Sequence, residues 1–270
     1  MPGRARFPAR RKVRAGIVGG MDVDRYLARI GFAADVSVDL GTLTALQRAH
    51  MSTVPFENLH VYHRLGVRTD VDWSVPKIVE QGRGGWCFEN NGAFGALLQE
   101  LGFDVLRLGA AVLLGGPNTV VDHLALEVTL DEPWLVDVGF GESFTQPLAL
   151  NRRGPQEGGN GTYELIDSSQ GLTLTLHDAE GVPVPQYRFK RVHHELAEFD
   201  SASEHLQTAE DLHWRHKPFA TRLIDGGPER VTLLSNRIKF HGPDGVREEP
   251  VAAEDWDDTL EHWFGMRSPA

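Results

Sequence analysis

The 270-residue chain contains one cysteine, Cys87, which excludes an intramolecular disulfide and any zinc site built on several thiolates. It also lacks any apolar run near the roughly 20 residues that a membrane-spanning helix needs. No secretory hydrophobic region stands near its start, and together with the single thiol this points to a reducing cytoplasm. Positive charge is the minority sign: 27 Lys and Arg face 38 Asp and Glu, a balance that argues against a general nucleic-acid binder. His193, His194, His205, His213 and His216 fit no compact zinc spacing, so no metal is expected.

Basic residues crowd the beginning, where Arg4, Arg6, Arg10, Arg11, Lys12 and Arg14 occur without acidic partners or periodicity. Residues 1–20 therefore read as a disordered basic extension, with the folded chain starting at Met21. From Asp22, Tyr26, Leu27 and Ile30 repeat at helical spacing up to Gly31. A second helix is expected over Thr42–His50 and a third from Ser74 as N-cap, with Pro76 in its first turn. A fourth follows Cys87, placing Phe88, Asn91, Phe94, Leu98 and Leu101 inward before Gly102.

After Asp104 the period becomes two, through Val105–Leu108, Leu124–Leu130 and Trp134–Val138. The Asp131-Glu132-Pro133 link makes the last two an antiparallel hairpin. Strands at Thr162–Ile166, Leu172–His177 and Gln186–Arg191 complete an expected barrel or sandwich. The final third mixes a helix over Glu204–Trp214, strands at Val231–Leu234 and Arg237–His241, and an amphipathic helix from Ala253 to Phe264. The predicted organisation is α+β: a helical domain over 21–103, a β-barrel over 104–200 and an α/β lid over 201–270.

Cys87 stands where a glycine-rich loop gives way to a helix, and the unpaired N–H groups and dipole of a helix start favour a thiolate. A small core residue, a reactive thiol and an intermolecular link all remain open for it on this evidence. A cysteine nucleophile needs a base, and the base needs an orienting partner. The hairpin offers His123 at the start of one strand and Asp137 at the end of its neighbour. Their approach to Cys87 is left to tertiary packing.

Three segments carry a resemblance. Arg83-Gly84-Gly85-Trp86-Cys87-Phe88-Glu89-Asn90-Asn91-Gly92 resembles the cysteine signature of the arylamine N-acetyltransferases. Val54-Pro55-Phe56-Glu57-Asn58-Leu59 looks like their upstream motif, and Val136-Asp137-Val138-Gly139-Phe140-Gly141 resembles their aspartate segment. The likeness covers residues 21 to about 150; beyond that it is one of architecture, since the family has a helical bundle, a central antiparallel β-barrel and a C-terminal α/β lid around a cysteine-protease-like Cys-His-Asp core.

The resemblance implies that Cys87 accepts an acetyl group from acetyl-coenzyme A, that His123 is the base and that Asp137 orients it, with an aromatic amine or hydrazine as second substrate. In this family the loop before the catalytic histidine borders the coenzyme, which implies contacts from Thr119, Val121 and Asp122. Phe56 and Phe140, inside the motifs, are candidates for stacking on the acceptor ring or for plain core packing. Phe219 joins them from Trp214-Arg215-His216-Lys217-Pro218-Phe219, which departs from the family's usual serine-containing pattern. The alternatives are an amide synthase of the same family that closes a macrolactam from a carrier-bound polyketide, a cysteine peptidase or transglutaminase-like enzyme, and a non-catalytic binding module.

Overall fold

The computed structural model describes residues 17–18 and 21–270. The expectation for residues 1–20 falls outside the described residues except at Ile17–Val18, which pair antiparallel with Met21–Asp22. Asp22 then caps a helix over Val23–Arg29 by accepting from the Arg25 N–H, and Gly31 takes the left-handed φ of +68° that ends it. The second helix is longer than expected, Leu40–Thr53, because Asp39 caps it through the Thr42 N–H at 2.8 Å.

The third helix departs from the sequence reading. It runs from Val71 to Val79, and its cap is Asp70, bonded to the Trp73 N–H, while Ser74 is buried inside it. Pro76 is accommodated mid-helix, where the carbonyl that loses its partner belongs to exposed Asp72. The Cys87–Glu100 helix is buried along most of its length and packs Phe94, Leu97 and Leu98 into one core with Leu43, Leu46 and Ile78.

Eight strands form one antiparallel sheet, in which Asp104–Val112, His123–Thr129, Gly171–His177 and Pro183–His193 are central and Pro133–Val136 flanks His123–Thr129. Alternation decides its faces: Leu108, Ala110, Tyr187 and Phe189 point inward into a second core with Leu165 and Leu174. The sheet curls into a nearly closed barrel. Its edge strands are the two-residue pieces Leu148–Ala149 and Gln156–Glu157, too short to be visible as periodic pattern. Gln156 joins them, since its amide accepts from the Ala149 N–H at 2.9 Å and donates to the Ala149 carbonyl at 3.1 Å.

A second, five-stranded sheet uses Ala220–Leu223, Arg230–Leu233, Arg237–Gly242 and Gly245–Pro250, covered by the helix Trp256–Phe264. Its fifth strand comes from the other end of the chain: Phe56–Glu57 pairs with Ala220–Thr221. The stretch expected to be wholly helical thus contributes a strand to the C-terminal sheet. The helix expected over Glu204–Trp214 begins earlier and stops sooner, Asp200–Thr208, with a single 3₁₀ turn at His213–Arg215.

Gln156→Ala should leave the buried Ala149 N–H unpaired and cost about 1–3 kcal/mol. Thermal unfolding followed by circular dichroism should show a midpoint several degrees lower; an unchanged midpoint would mean that the barrel edges are held otherwise.

Candidate active site

Cys87 is the first residue of its helix and 7% exposed. The loop before it bends hard against its surroundings, leaving no room for side chains. A Cβ on Gly84 would stand 1.9 Å from the Pro55 carbonyl oxygen, and one on Gly85 would meet the Glu89 carboxylate at 2.6 Å. Glu89 holds this turn from one helical turn ahead, accepting from the Trp86 N–H at 3.2 Å, the Trp73 indole at 2.8 Å and Lys77 Nζ at 2.8 Å. Glu57 lies on the far side of Lys77, at 3.6 Å, and of Arg83, at 3.9 Å. Desolvation works to raise both carboxyls. The flanking cations overcome it for Glu57, which is lowered, whereas Glu89, facing Glu57 as well as Lys77, is raised.

His123 begins its strand and is buried, as is Asp137 on the adjoining strand's end, two places beyond Leu135, which pairs with Glu127. His123 Nε2 donates to Asp137 Oδ2 at 2.8 Å. Burial opposes the imidazolium charge, but Asp137, reinforced by Cys87 as a further hydrogen-bond partner, wins and pushes His123 up to about 10. The imidazole is therefore held as a cation between a carboxylate and a sulfur. The Cys87 Sγ also lies 4.0 Å from the carbonyl oxygen of Asp122, the residue just before the histidine.

Asp137 does not hold itself in place. Its second oxygen, Oδ1, accepts from Asn91 Nδ2 at 2.8 Å and from the Gly139 N–H at 2.9 Å. Asn91 further donates to the Leu124 carbonyl at 2.6 Å and accepts from the Val138 N–H at 2.9 Å. One side chain, a single turn after Cys87, thus ties the cysteine helix to both strands of the hairpin. Gly139 makes the approach possible, since a Cβ there would fall 2.8 Å from Cys87 Cα. The sequence pattern marks Asn91 only as a core-facing position; its four-residue spacing from Cys87 is the signal that places it on the nucleophile's face of the helix.

The three aromatic candidates fall into two walls. Phe56 and Phe219 pack together, ring centres 5.5 Å apart, and share Trp214 at 6.4 and 5.8 Å. Asn58 locks that wall, donating to the carbonyls of Trp214 and Lys217 and accepting from the Phe219 N–H. Phe140 stands apart from them on the imidazole, 5.0 Å from the His123 ring and 5.0 Å from Tyr187. The walls converge at Gly141, where a Cβ would sit 3.0 Å from Phe56. Tyr187, whose hydroxyl borders Asp137 without closing an aligned hydrogen bond, and Trp214 were both absent from the sequence-derived candidates. The inward alternation of Gln186–Arg191 could have marked Tyr187.

The loop candidates divide as well. Thr119 and Val121 are exposed and line a cavity of about 520 Å³ with Arg188, Lys190 and His194. Val121 folds onto the neighbouring strand because Gly109 has no side chain to obstruct it. Asp122 turns the other way. Its carboxylate accepts from the Val112 N–H at 2.8 Å and Asn118 Nδ2 at 2.8 Å, so it shapes the loop.

A family model described as N-acetyltransferase matches residues 39–269. The chain is 32% identical to the arylamine N-acetyltransferase pineal gland isozyme NAT-3 of Gallus gallus, over 91% of this chain and 94% of that one. It is 33% identical to an arylamine N-acetyltransferase of Escherichia coli, with 78% and 76% covered. Among solved structures, the Mycobacterium marinum arylamine N-acetyltransferase in complex with CoA superposes with a TM-score of 0.83 at 30% identity, covering 90% of this chain and 92% of that one.

Asn91→Ala removes the two bonds that fix Asp137 and Val138 and a third to Leu124 on the His123 strand, and whatever activity depends on this site should fall about 10- to 100-fold. A rate within twofold of the parent, measured under saturating substrate, would show that Asp137 needs no such support. The pH dependence has a definite sign. With its folded pKa raised to about 10, His123 contributes stability that is complete below its unfolded value near 6.5 and lost as pH rises through about 10. Denaturant titrations across that window should show the loss in the parent and a flatter profile in His123→Gln.

Proposed function

The chain belongs to the arylamine N-acetyltransferase family, and on that premise we propose that Cys87, His123 and Asp137 move an acetyl group from acetyl-coenzyme A to an aromatic amine or hydrazine. The observation that carries the assignment is the continuous contact chain from Cys87 through the buried imidazole to Asp137 and Asn91.

The sulfur attacks the thioester carbonyl, coenzyme A leaves as its thiol, and Cys87 carries the acetyl group as a new thioester. Exchange of one thioester for another is nearly isoenergetic, so the first half-reaction is balanced. His123, protonated in the resting site, can give its proton to the departing sulfur and recover one from the attacking amine. Aromatic amines are weak bases that remain unprotonated near neutrality, which leaves the nitrogen lone pair free. Asp137 keeps the ring in the tautomer and orientation that both transfers need.

Water is the competitor for the acetyl-cysteine. The Phe56, Phe219 and Trp214 wall and the Phe140 and Tyr187 wall support a site that favours a flat aromatic acceptor over water. Thr119 and Val121, with the basic groups across their cavity, are the proposed donor contacts; Asp122 serves by shaping that loop. A nucleophile that must stay reduced supports the cytoplasm as the compartment. The described residues contain no helix long and apolar enough to cross a membrane.

Intact-mass measurement after exposure to acetyl-coenzyme A should reveal one acetyl adduct, discharged by added aromatic amine. Cys87→Ser should keep the fold, lose the adduct and lose transfer altogether, because the alcohol matches the shape without an accessible thiolate. An adduct or turnover surviving in Cys87→Ser would overturn the assignment.

A further inference from the structure

Arg230 opens the strand Arg230–Leu233 and is 4% exposed, although its side chain reaches none of the acidic groups within ion-pairing distance among the described residues. One arm of its guanidinium, Nη1, donates to Thr221 Oγ1 at 3.2 Å. The other arm, Nη2, is buried without any hydrogen-bond partner. A charge so placed calls for a compensating anion.

The neighbours answer it only in part, through Glu142, which acts on the guanidinium from beyond ion-pairing distance. Tyr163 is close enough to feel the guanidinium, but burial pushes its hydroxyl far up, so it stays neutral, and that hydroxyl donates to Asn160 Oδ1 at 3.3 Å. Asn160 Nδ2 in turn is spent on the Ser143 carbonyl at 2.9 Å. Glu142 pairs with His241 Nδ1 at 3.0 Å and leaves 63% of its side chain in solvent. Burial lowers the guanidinium to about 10, still cationic at neutral pH. Beside it lies a cavity of about 430 Å³, lined by Glu142, Asn160, Pro228, Arg230, His241 and Val246.

Strand pairing and chain neighbours link this cavity to the acceptor walls. Thr221, which holds Arg230, is the cross-strand partner of Phe56. Glu142 follows Gly141, which closes on Phe56, and Phe140, which lies on the histidine.

We propose that Arg230 and this cavity form an oxyanion subsite, which takes the carboxylate or phosphate borne by one of the two reactants. A planar guanidinium with a free arm suits two oxygens of such a group, and the cavity is large enough for the group and part of the molecule carrying it. Glu142 then acts as a selectivity filter: its carboxylate weakens the site for anions, and His241 partly neutralises it. The proposal rests on the acetyl-transfer reading for the identity of the ligand but not for its existence.

Binding, not turnover, therefore tests it. Calorimetric titration of the full chain would compare benzoate with benzamide, for an acceptor carboxylate, and adenosine 3′,5′-bisphosphate with adenosine, for donor phosphates. The parent should bind one of the two anions at least tenfold more tightly than its neutral counterpart. Arg230→Gln should abolish that advantage, and Arg230→Lys, which keeps the buried charge, should reduce it at least threefold. Glu142→Gln, at an exposed position where folding is not at risk, should tighten anion binding at least twofold. No anion preference in the parent, a preference that survives Arg230→Gln or Arg230→Lys, or an affinity unmoved by Glu142→Gln would each overturn the subsite. Transfer of acetyl groups to neutral amines would stand in any of those cases.

Discussion

The interaction on which this structure turns is the buried hydrogen bond between His123 and Asp137, 2.8 Å long and out of reach of water. A carboxylate inside a protein is costly unless every lone pair is answered, and here each oxygen has its own partners: the imidazole on Oδ2, Asn91 and the Gly139 N–H on Oδ1. The geometry of two strands, one helix and one glycine loop is therefore constrained by the need to satisfy a single side chain. Cys87 enters that arrangement because Asn91 sits on its own helix.

A second buried ionic cluster supports the first from behind. Lys77, Glu89, Glu57 and Arg83 fix the Gly84–Gly85 turn that delivers Cys87, and Arg83 reaches the Arg267 carbonyl at 2.7 Å. The last residues of the chain are thereby tied to the loop before the nucleophile. Phe56–Glu57 makes the same link in the backbone, as the outer strand of the C-terminal sheet. Burial of so many charges gives modest net stability, and its clearest consequence is positional: removing any one partner would leave another stranded.

Charge also distinguishes two of the cavities among the described residues. One is lined by Arg188, Lys190 and His194 next to Thr119 and Val121; the other holds Arg230 opposite Glu142. The first is lined by strands and a loop of the barrel, the second by the C-terminal sheet together with the barrel loops that carry Glu142 and Asn160.

Local pattern was enough to place the helices that begin at Val23 and Cys87, the central part of the helix Leu40–Thr53, the two-residue period of the barrel strands, and the His123–Asp137 hairpin, because caps, glycines and alternation act over a few residues. It also marked Cys87, through the glycines that precede it. Tertiary structure alone decided what those residues meet. The bond from Asn91 to Asp137, the pairing of Phe56 with Thr221 and the tilted packing of Tyr187 against His123 join positions 46, 165 and 64 residues apart. No periodicity records such distances. The same holds for Gln156 across the barrel seam: an isolated polar residue has many available partners, and only the packed chain selects among them.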